Sequence, residues 1–249
     1  MENIEFKIFD ESKETYNIGD LLNMPYFWAN ANNNPHVNAY TYNLFKKTAL
    51  QYKNNILGIY NNYRIDENEP IPNVEKIRLS VDTFIENNKS NDTLNNLILS
   101  CNDDNTLVVH LRSGDYGIVE DFYIDSIINL STKYEKIIIL CGIHQIRQRL
   151  AHDLPVTESI NNMKISLHKL YLKNPNIIIN LNEPDIHLSI MRTCKNLLLH
   201  KGGYSLLGGL LFNGNNLFIT TLFTPLSSNN KNYFTYVKSP IYLIRNEKV

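Results

Sequence analysis

Short apolar runs recur through the second half of the chain, and they are continuous rather than alternating with polar residues. They lie at Thr106–His110, Lys136–Cys141, Asn176–Asn180, Asn196–His200 and Leu217–Thr221. Continuous apolar runs of this length are typical of strands covered on both faces, as in parallel sheets. The pattern therefore predicts buried strands at these positions.

The stretches between these runs are long enough for helices. Predicted helices span Phe122–Tyr134, His144–His152, Ile160–Leu172, Pro184–Cys194 and Tyr204–Phe212. The start at Pro184 is supported because proline suits a first helical turn, and the next residue, Asp185, favours the positive end of the helix dipole. Alternating strands and helices predict an α/β fold with right-handed βαβ units and a parallel sheet.

The pattern ahead of these strands is less regular. It predicts strands at Ile4–Phe9 and Asn55–Tyr60, helices at Ala39–Tyr52, Val74–Asn87 and Asn91–Ser100, and loops at Ala29–Asn38 and Asp66–Pro72. We therefore expect a small N-terminal lobe, α/β or mostly helical, over residues 1–103 and a C-terminal lobe over residues 104–249.

Composition and charge narrow the classes of protein. Hydrophobic residues make up 43% and charged residues 20%, the balance of an ordinary globular protein. A formal net charge of −1 gives no basic excess, so nucleic acid is not an expected partner. The first residues are too charged for a signal peptide, and no apolar run approaches the roughly 20 residues of a membrane span. A cytoplasmic location is expected.

The cysteines, Cys101, Cys141 and Cys194, lie far apart and each adjoins an apolar run. Their spacing suggests neither a zinc site nor a disulfide framework, and buried reduced thiols are expected. No spacing of carboxylates and histidines resembles a metal site, so no metal is expected.

Polar clusters follow three of the predicted strands, at His110–Tyr116, Asn180–Asp185 and His200–Ser205. Ligands of open parallel sheets bind outside the carboxyl ends of the strands. Three polar clusters at one edge of the sheet therefore predict a binding site there.

In the first cluster, Arg112 has the charge and the fork-like geometry to bind a phosphate or carboxylate, and Gly114 permits a tight turn. The alternative is a surface pair between Arg112 and Asp115 that closes a turn. In the third cluster, Gly202 and Gly203 leave the backbone exposed, and Ser205 is expected near the first turn of the next helix, where backbone N–H groups and a hydroxyl can bind phosphate. The alternative is a plain turn before a tightly packed helix, since glycines within that helix indicate close packing.

Two segments carry a family resemblance. HLRSGDY, His110–Tyr116, resembles the HxRRGDY motif of the α1,2-fucosyltransferases, which share a related HxRR motif with the α1,6- and protein O-fucosyltransferases. Asp185–Leu211 resembles the last conserved block of that superfamily, in which an Asp begins a helix, a Cys or an Ala-Asp pair precedes an apolar strand and a turn of small residues follows. The likeness covers about Leu107 to Leu211, and the earlier residues show none.

This resemblance implies a GT-B-like fold, with two Rossmann-like lobes and parallel sheets, in which the C-terminal lobe holds the donor and the N-terminal lobe presents the acceptor. It implies an enzyme, a metal-independent inverting glycosyltransferase. The donor would be a nucleotide sugar, with GDP-fucose the first expectation, and the acceptor a glycan or another hydroxyl compound. No cofactor beyond this co-substrate is implied.

The resemblance also implies roles for donor-binding residues. Arg112 would grip the β-phosphate of the donor, His110 would line the nucleotide pocket, and Asp185 would accept hydrogen bonds from the guanine edge. Phosphate would also be held by the Ser205 hydroxyl and by the backbone of Gly202, Gly203 and Tyr204.

Two further positions define the expected chemistry and its alternatives. Glu120 matches, by its offset from the motif histidine, the general base proposed for α1,6-fucosyltransferases; the alternative is a solvated glutamate at a helix start. Ser113, in the donor-binding segment, replaces the second arginine of the motif and removes a cationic contact to the diphosphate. This departure leaves two alternatives: a UDP-sugar-dependent enzyme of the same fold, and a non-catalytic nucleotide- or glycan-binding relative.

Overall fold

The computed structural model describes residues 15–23, 74–113, 117–142, 156–182, 184–223, 234 and 236–245. The strands in this part of the chain are β1 (Thr15–Asn17), β2 (Thr106–Leu111), β3 (Lys136–Cys141), β4 (Ile178–Asn180), β5 (Asn196–Leu199), β6 (Asn216–Thr220) and β7 (Ile241–Ile244). The helices are α1 (Ile18–Asn23), α2 (Val74–Asn87), α3 (Asp92–Cys101), α4 (Asp121–Ser131), α5 (Val156–Lys173), α6 (Pro184–Thr193) and α7 (Gly203–Leu211).

These strands form one sheet in the order β1-β4-β3-β2-β5-β6-β7. Every neighbouring pair is parallel except β1 and β4, which are antiparallel. The chain winds outward from β2 through β3 to β4, and then from β5, on the other side of β2, through β6 to β7. This strand order is that of a Rossmann-like fold, in which a crevice opens where the winding reverses. Here the reversal falls between β2 and β5.

Each face of the sheet has its own hydrophobic core, because alternate side chains of a strand point to opposite faces. Leu107, Val109 and Leu111 of β2 pack in the core that includes residues of α1, α4 and α5. Val108 packs in the other core, with residues of α2, α6 and α7. All six residues of β2 are buried, which explains why its sequence does not alternate.

Most predicted elements within the described residues are confirmed. The apolar runs are β2 to β6. The helix predicted at Val74–Asn87 is α2 with the same ends, and the helices predicted at residues 91–100, 122–134, 160–172, 184–194 and 204–212 are α3 to α7 with shifted ends. The sequence pattern did not predict β1 or β7. The helices at Ala39–Tyr52 and His144–His152, the strands at Ile4–Phe9 and Asn55–Tyr60, and the loops at Ala29–Asn38 and Asp66–Pro72 lie outside the described residues.

The described parts of residues 1–103 belong to the same sheet and its layers. Tyr16 of β1 and Ile18 of α1 are buried in one core, and Val74, Ile77 and Val81 of α2 are buried in the other. The α/β class and the mostly parallel sheet are thereby confirmed. The division into two lobes and the GT-B arrangement stay predictions.

Close packing of α7 was predicted from its internal glycines and is confirmed at Gly208. A Cβ at this position would collide with the Sδ atom of Met191 in α6. The buried thiols are confirmed as well, since Cys101, Cys141 and Cys194 are buried and form no disulfide. Burial raises the pKa of the Cys141 thiol to about 12, so it is protonated at neutral pH.

Two arginines connect the helices on one face of the sheet to one another. Arg78 of α2 is 3% exposed and donates from Nε to the carbonyl of Leu210, at 2.9 Å, and from Nη2 to that of Tyr236, at 2.5 Å. Arg192 of α6 binds both carboxylate oxygens of Asp82, each at 2.9 Å. These contacts tie α2 to α6, α7 and the segment before β7.

Candidate functional site

The winding of the sheet reverses between β2 and β5, and the position between the carboxyl ends of these two strands, here called the crevice, lies between two of the predicted polar clusters. Because the two strands are parallel neighbours, their carboxyl ends meet at the same edge of the sheet. Arg112 directly follows β2, and His200 and Lys201 follow β5. The second predicted cluster, Asn180–Asp185, follows β4, two strands away from β2. The structure therefore brings the first and third clusters into direct contact.

His200 links the two strand ends. Its Nδ1 accepts a hydrogen bond from the backbone N–H of Arg112 at 3.2 Å, and its Nε2 lies 3.0 Å from Oε2 of Glu120. A backbone N–H can only donate, so Nδ1 is the acceptor and Nε2 carries the hydrogen that Glu120 accepts. Burial lowers the pKa of His200, although the bond to Glu120 acts in the opposite direction. The ring is therefore neutral at neutral pH.

Glu120 precedes α4 and is held by two partners. One carboxylate oxygen accepts from His200, and the other accepts from the ammonium group of Lys201. Burial alone would raise the pKa of Glu120, but these hydrogen bonds outweigh it and lower the pKa to about 2. At neutral pH the carboxylate is ionised, and with this pKa it is a weak base. Its predicted role as general base stays a prediction.

Tyr123 contacts residues at the carboxyl ends of both β2 and β5. Its ring stacks on His200, with centroids 4.0 Å apart and an angle of 24° between the planes. Its hydroxyl donates to the carbonyl of His110 at 2.8 Å. Tyr123 is fully buried, so the position of His200 is fixed by packing as well as by hydrogen bonds.

His110 and Ser205 form a second bridge, between β2 and the first turn of α7. Nδ1 of His110 lies 2.6 Å from the Ser205 hydroxyl, which donates to the carbonyl of Lys201 at 3.0 Å. The ring of Tyr204 lies against His110, with centroids 5.2 Å apart. His110 and Ser205 are 1% and 0% exposed. In this structure the Ser205 hydroxyl, predicted to hold a phosphate, is buried and makes internal contacts.

Two further residues of the predicted clusters are Ser113, which follows β2, and Gly202, which precedes α7. Ser113 is buried, and its hydroxyl lies 3.3 Å from that of Ser166 in α5, which also accepts the backbone N–H of Val119. Gly202 has φ 91° and ψ 167°, a conformation that a residue with a Cβ rarely adopts. Gly203 begins α7 and is exposed. Gly114 and Asp115 lie outside the described residues.

A buried polar network stands at the end of β4. Oδ1 of Asn180 accepts from Nε2 of His187 at 2.8 Å and from the backbone N–H of Asn182 at 3.0 Å. Burial lowers the pKa of His187 to about 3, so the ring is neutral. Asp185, at the start of α6, is 4% exposed. The amide of Asn182 is 2% exposed, and among the described residues neither its nitrogen nor its oxygen has a hydrogen-bond partner.

Sequence reasoning identified the clusters but assigned no role to His200, Lys201, Tyr123 or Asn182. The usable signal for His200, Lys201 and Asn182 was their position just after a buried strand. Tyr123 carries no such signal, because an apolar helix residue of the core has the same sequence context.

Comparison with models of protein families, with curated proteins and with solved structures finds no match for this chain. Within the described ranges, no helix has the length and apolar character needed to cross a membrane. In the same part of the chain, no three His, Cys, Asp or Glu side chains gather as they would around a metal ion. A function therefore has to be inferred from the site.

Proposed function

We propose that this protein is a cytoplasmic glycosyltransferase that transfers a sugar, fucose first among the candidates, from a GDP-linked donor to a hydroxyl acceptor. The observation that carries the proposal is the reversal of winding between β2 and β5, the position at which open parallel sheets bind ligands. Arg112 follows β2 and Lys201 follows β5, so two cationic residues stand at this edge of the sheet, together with the Glu120 carboxylate that pairs with Lys201. A net positive site at this position suits the diphosphate of a nucleotide sugar.

In the proposed reaction, the acceptor oxygen forms a bond with the anomeric carbon as the bond from that carbon to the diphosphate oxygen breaks. The departing diphosphate gains negative charge, which Arg112 would stabilise. Attack from the face opposite the leaving group inverts the anomeric centre. The proton of the acceptor hydroxyl would pass to Glu120, whose carboxylate lies at the same crevice.

The residues after β4 support recognition of a nucleobase. The Asp185 carboxylate offers acceptors, and the Asn182 amide offers both a donor and an acceptor. A guanine edge presents donors at N1 and N2 and an acceptor at O6, so it could satisfy groups of both kinds. The buried amide of Asn182, which has no partner among the described residues, is the observation that favours such a ligand.

Calorimetric titration with GDP, GDP-fucose, GDP-mannose, UDP and UDP-sugars tests the proposal. We expect GDP-linked ligands to bind, and Arg112→Ala to weaken binding by about 10-fold or more and to abolish turnover. Arg245→Ala is the matched control, because Arg245 directly follows β7, is exposed and lies at the same edge of the sheet. If no nucleotide binds, or if Arg112→Ala matches the control, the proposal fails.

A second candidate is a non-catalytic nucleotide- or glycan-binding protein. It is favoured by the ion-paired state of Glu120, in which both carboxylate oxygens already have partners. The two candidates differ in turnover: a binding protein would hold GDP-fucose without releasing GDP in the presence of acceptors. A UDP-sugar enzyme of the same fold is distinguished by the same titration, through its preference for UDP.

A further inference from the structure

We infer that Lys201 is a second phosphate-binding cation of this site, and that Glu120 is its counter-ion only until the donor diphosphate takes the place of the carboxylate. This inference rests on the proposed function and adds to it an exchange of ion-pair partners. In the sequence motif, Ser113 stands where a second arginine is expected. Lys201, which follows the neighbouring strand β5, would supply that missing positive charge.

The positions of Arg112 and Lys201 are equivalent on neighbouring strands. Val109 of β2 is paired in register with Leu198 of β5, and each cationic residue lies three positions beyond its paired residue. His200 joins the two strand ends through its bond to the Arg112 backbone. The two cationic residues therefore follow neighbouring strands at equivalent positions, as expected for groups that bind one diphosphate.

The ion pair between Lys201 and Glu120 is placed where it can be exchanged. The side chains are 20% and 35% exposed, so ligand and solvent have access to both. Partly exposed ion pairs contribute little net free energy, whereas a diphosphate carries more charge than one carboxylate. Lysine also has a flexible stem that can follow a new partner. His200, by contrast, is fully buried and would stay on Glu120.

Exchange would change the chemistry of Glu120. Among the described residues, the titratable and charged groups facing its carboxylate are His200 and Lys201, and its negative charge also acts on the buried Tyr123 hydroxyl. When Lys201 leaves Glu120 for the diphosphate, the carboxylate loses one of the hydrogen bonds that hold its pKa at about 2. The pKa of Glu120 then rises, and the carboxylate becomes a stronger base. The base would then be active only when the donor is bound.

A double-mutant cycle tests this exchange, with GDP and inorganic pyrophosphate as probes in calorimetric titration of the full chain. We expect Lys201→Met to weaken binding by about 10-fold, and Lys201→Arg to keep it within about 3-fold of wild type. Glu120→Gln should tighten binding, because the competing anion is gone. In the Lys201→Met background, Glu120→Gln should tighten binding by a smaller factor. Lys195→Met, at the opposite end of β5, is the control and should leave binding unchanged.

The outcomes separate this inference from the proposed function. If the wild type binds and Arg112→Ala abolishes binding while Lys201→Met matches Lys195→Met, only the exchange is wrong. Weaker binding by Glu120→Gln would also overturn it, because a purely structural ion pair predicts that result. If neither probe binds to the wild type, both proposals fall. Unfolding midpoints of the ligand-free variants show whether each variant is folded.

Discussion

The backbone N–H of Arg112 donates to Nδ1 of His200, 3.2 Å away, across the crevice between β2 and β5. Through this bond, a fully buried and neutral histidine fixes the point at which the chain leaves β2. The same ring holds Glu120 through its other nitrogen. One imidazole thus sets the relative positions of a cation-bearing segment and a carboxylate.

Replacement of His200 by alanine should therefore affect stability and binding together. His200→Ala leaves a cavity beside Tyr123 and removes the acceptor of the Arg112 N–H. We expect the free energy of unfolding to fall by about 2–4 kcal/mol. Urea unfolding at neutral pH measures this loss. His168→Ala, at an exposed histidine of α5, should change stability by less than about 0.5 kcal/mol. Equal values for the two variants would contradict the structural role of His200.

Stability should decrease as the pH falls below neutral. The pKa of His187 is about 3 in the folded state and 6.5 as an ordinary value, so between these pH values the unfolded chain binds a proton that the folded chain does not. Stability is then fully present above about pH 6.5 and declines by up to ~1.4 kcal/mol per pH unit as the pH falls toward the folded value. The lowered pKa of His200 acts in the same direction.

Urea unfolding at about pH 7.5 and about pH 5 measures this pH dependence. His187→Gln should flatten it, because glutamine does not titrate and its amide can still donate to Asn180. An equally steep profile in this variant would show that His187 is not the titrating group.

Replacement of Asn182 by leucine should raise the stability of the protein and weaken its binding of nucleotide. Its buried amide lacks partners among the described residues, so Asn182→Leu removes two unsatisfied polar atoms. We expect the free energy of unfolding of the ligand-free protein to rise by about 1–2 kcal/mol. Affinity for GDP should fall in the same variant. Lower stability, or unchanged GDP affinity in a stabilised protein, would show that the amide serves the fold instead of a ligand.

Arg78 should be essential for the packing of α2. Arg78→Met leaves the buried carbonyl of Leu210 without its donor and should lower the free energy of unfolding by about 2–3 kcal/mol. Thermal unfolding monitored by circular dichroism measures the loss. Glu75→Ala is the control, because this exposed partner of Arg78 lies on the solvent side and its removal should hardly move the midpoint. Equal midpoints for both variants would refute this role.

Much of the fold was predictable from hydrophobic runs, because β2 to β6 are buried on both faces and their sequences show it. β1 was not, since it has only three residues and one buried side chain, Tyr16. β7 was missed because it lies at the edge of the sheet, and Tyr242 and Leu243 are exposed there. Edge strands carry a weaker burial signal than central ones.

The location of the candidate site was predictable from the sequence, but the contacts between its residues were not. Position after a strand identified Arg112 and the β5–α7 turn, since parallel strands bring their carboxyl ends to one edge. The hydrogen-bond partner of a hydroxyl can lie far away in the sequence. His110 and Ser205 are separated by 95 residues. The pairing of Lys201 with Glu120 is equally non-local, at a separation of 81 residues.

The antiparallel strand β1 has a consequence for synthesis of the chain on the ribosome. Thr15 pairs with Asn180, 165 residues later, and the neighbouring Ile18 bonds to Ile177. By contrast, β2 and β3 are joined through α4 within residues 106–141 and can associate early. Among the described strands, β1 has no neighbour to pair with until β4 has left the exit tunnel. Docking of β1 is thus a late event in synthesis, and β1 stays accessible to chaperones for longer than β2 does.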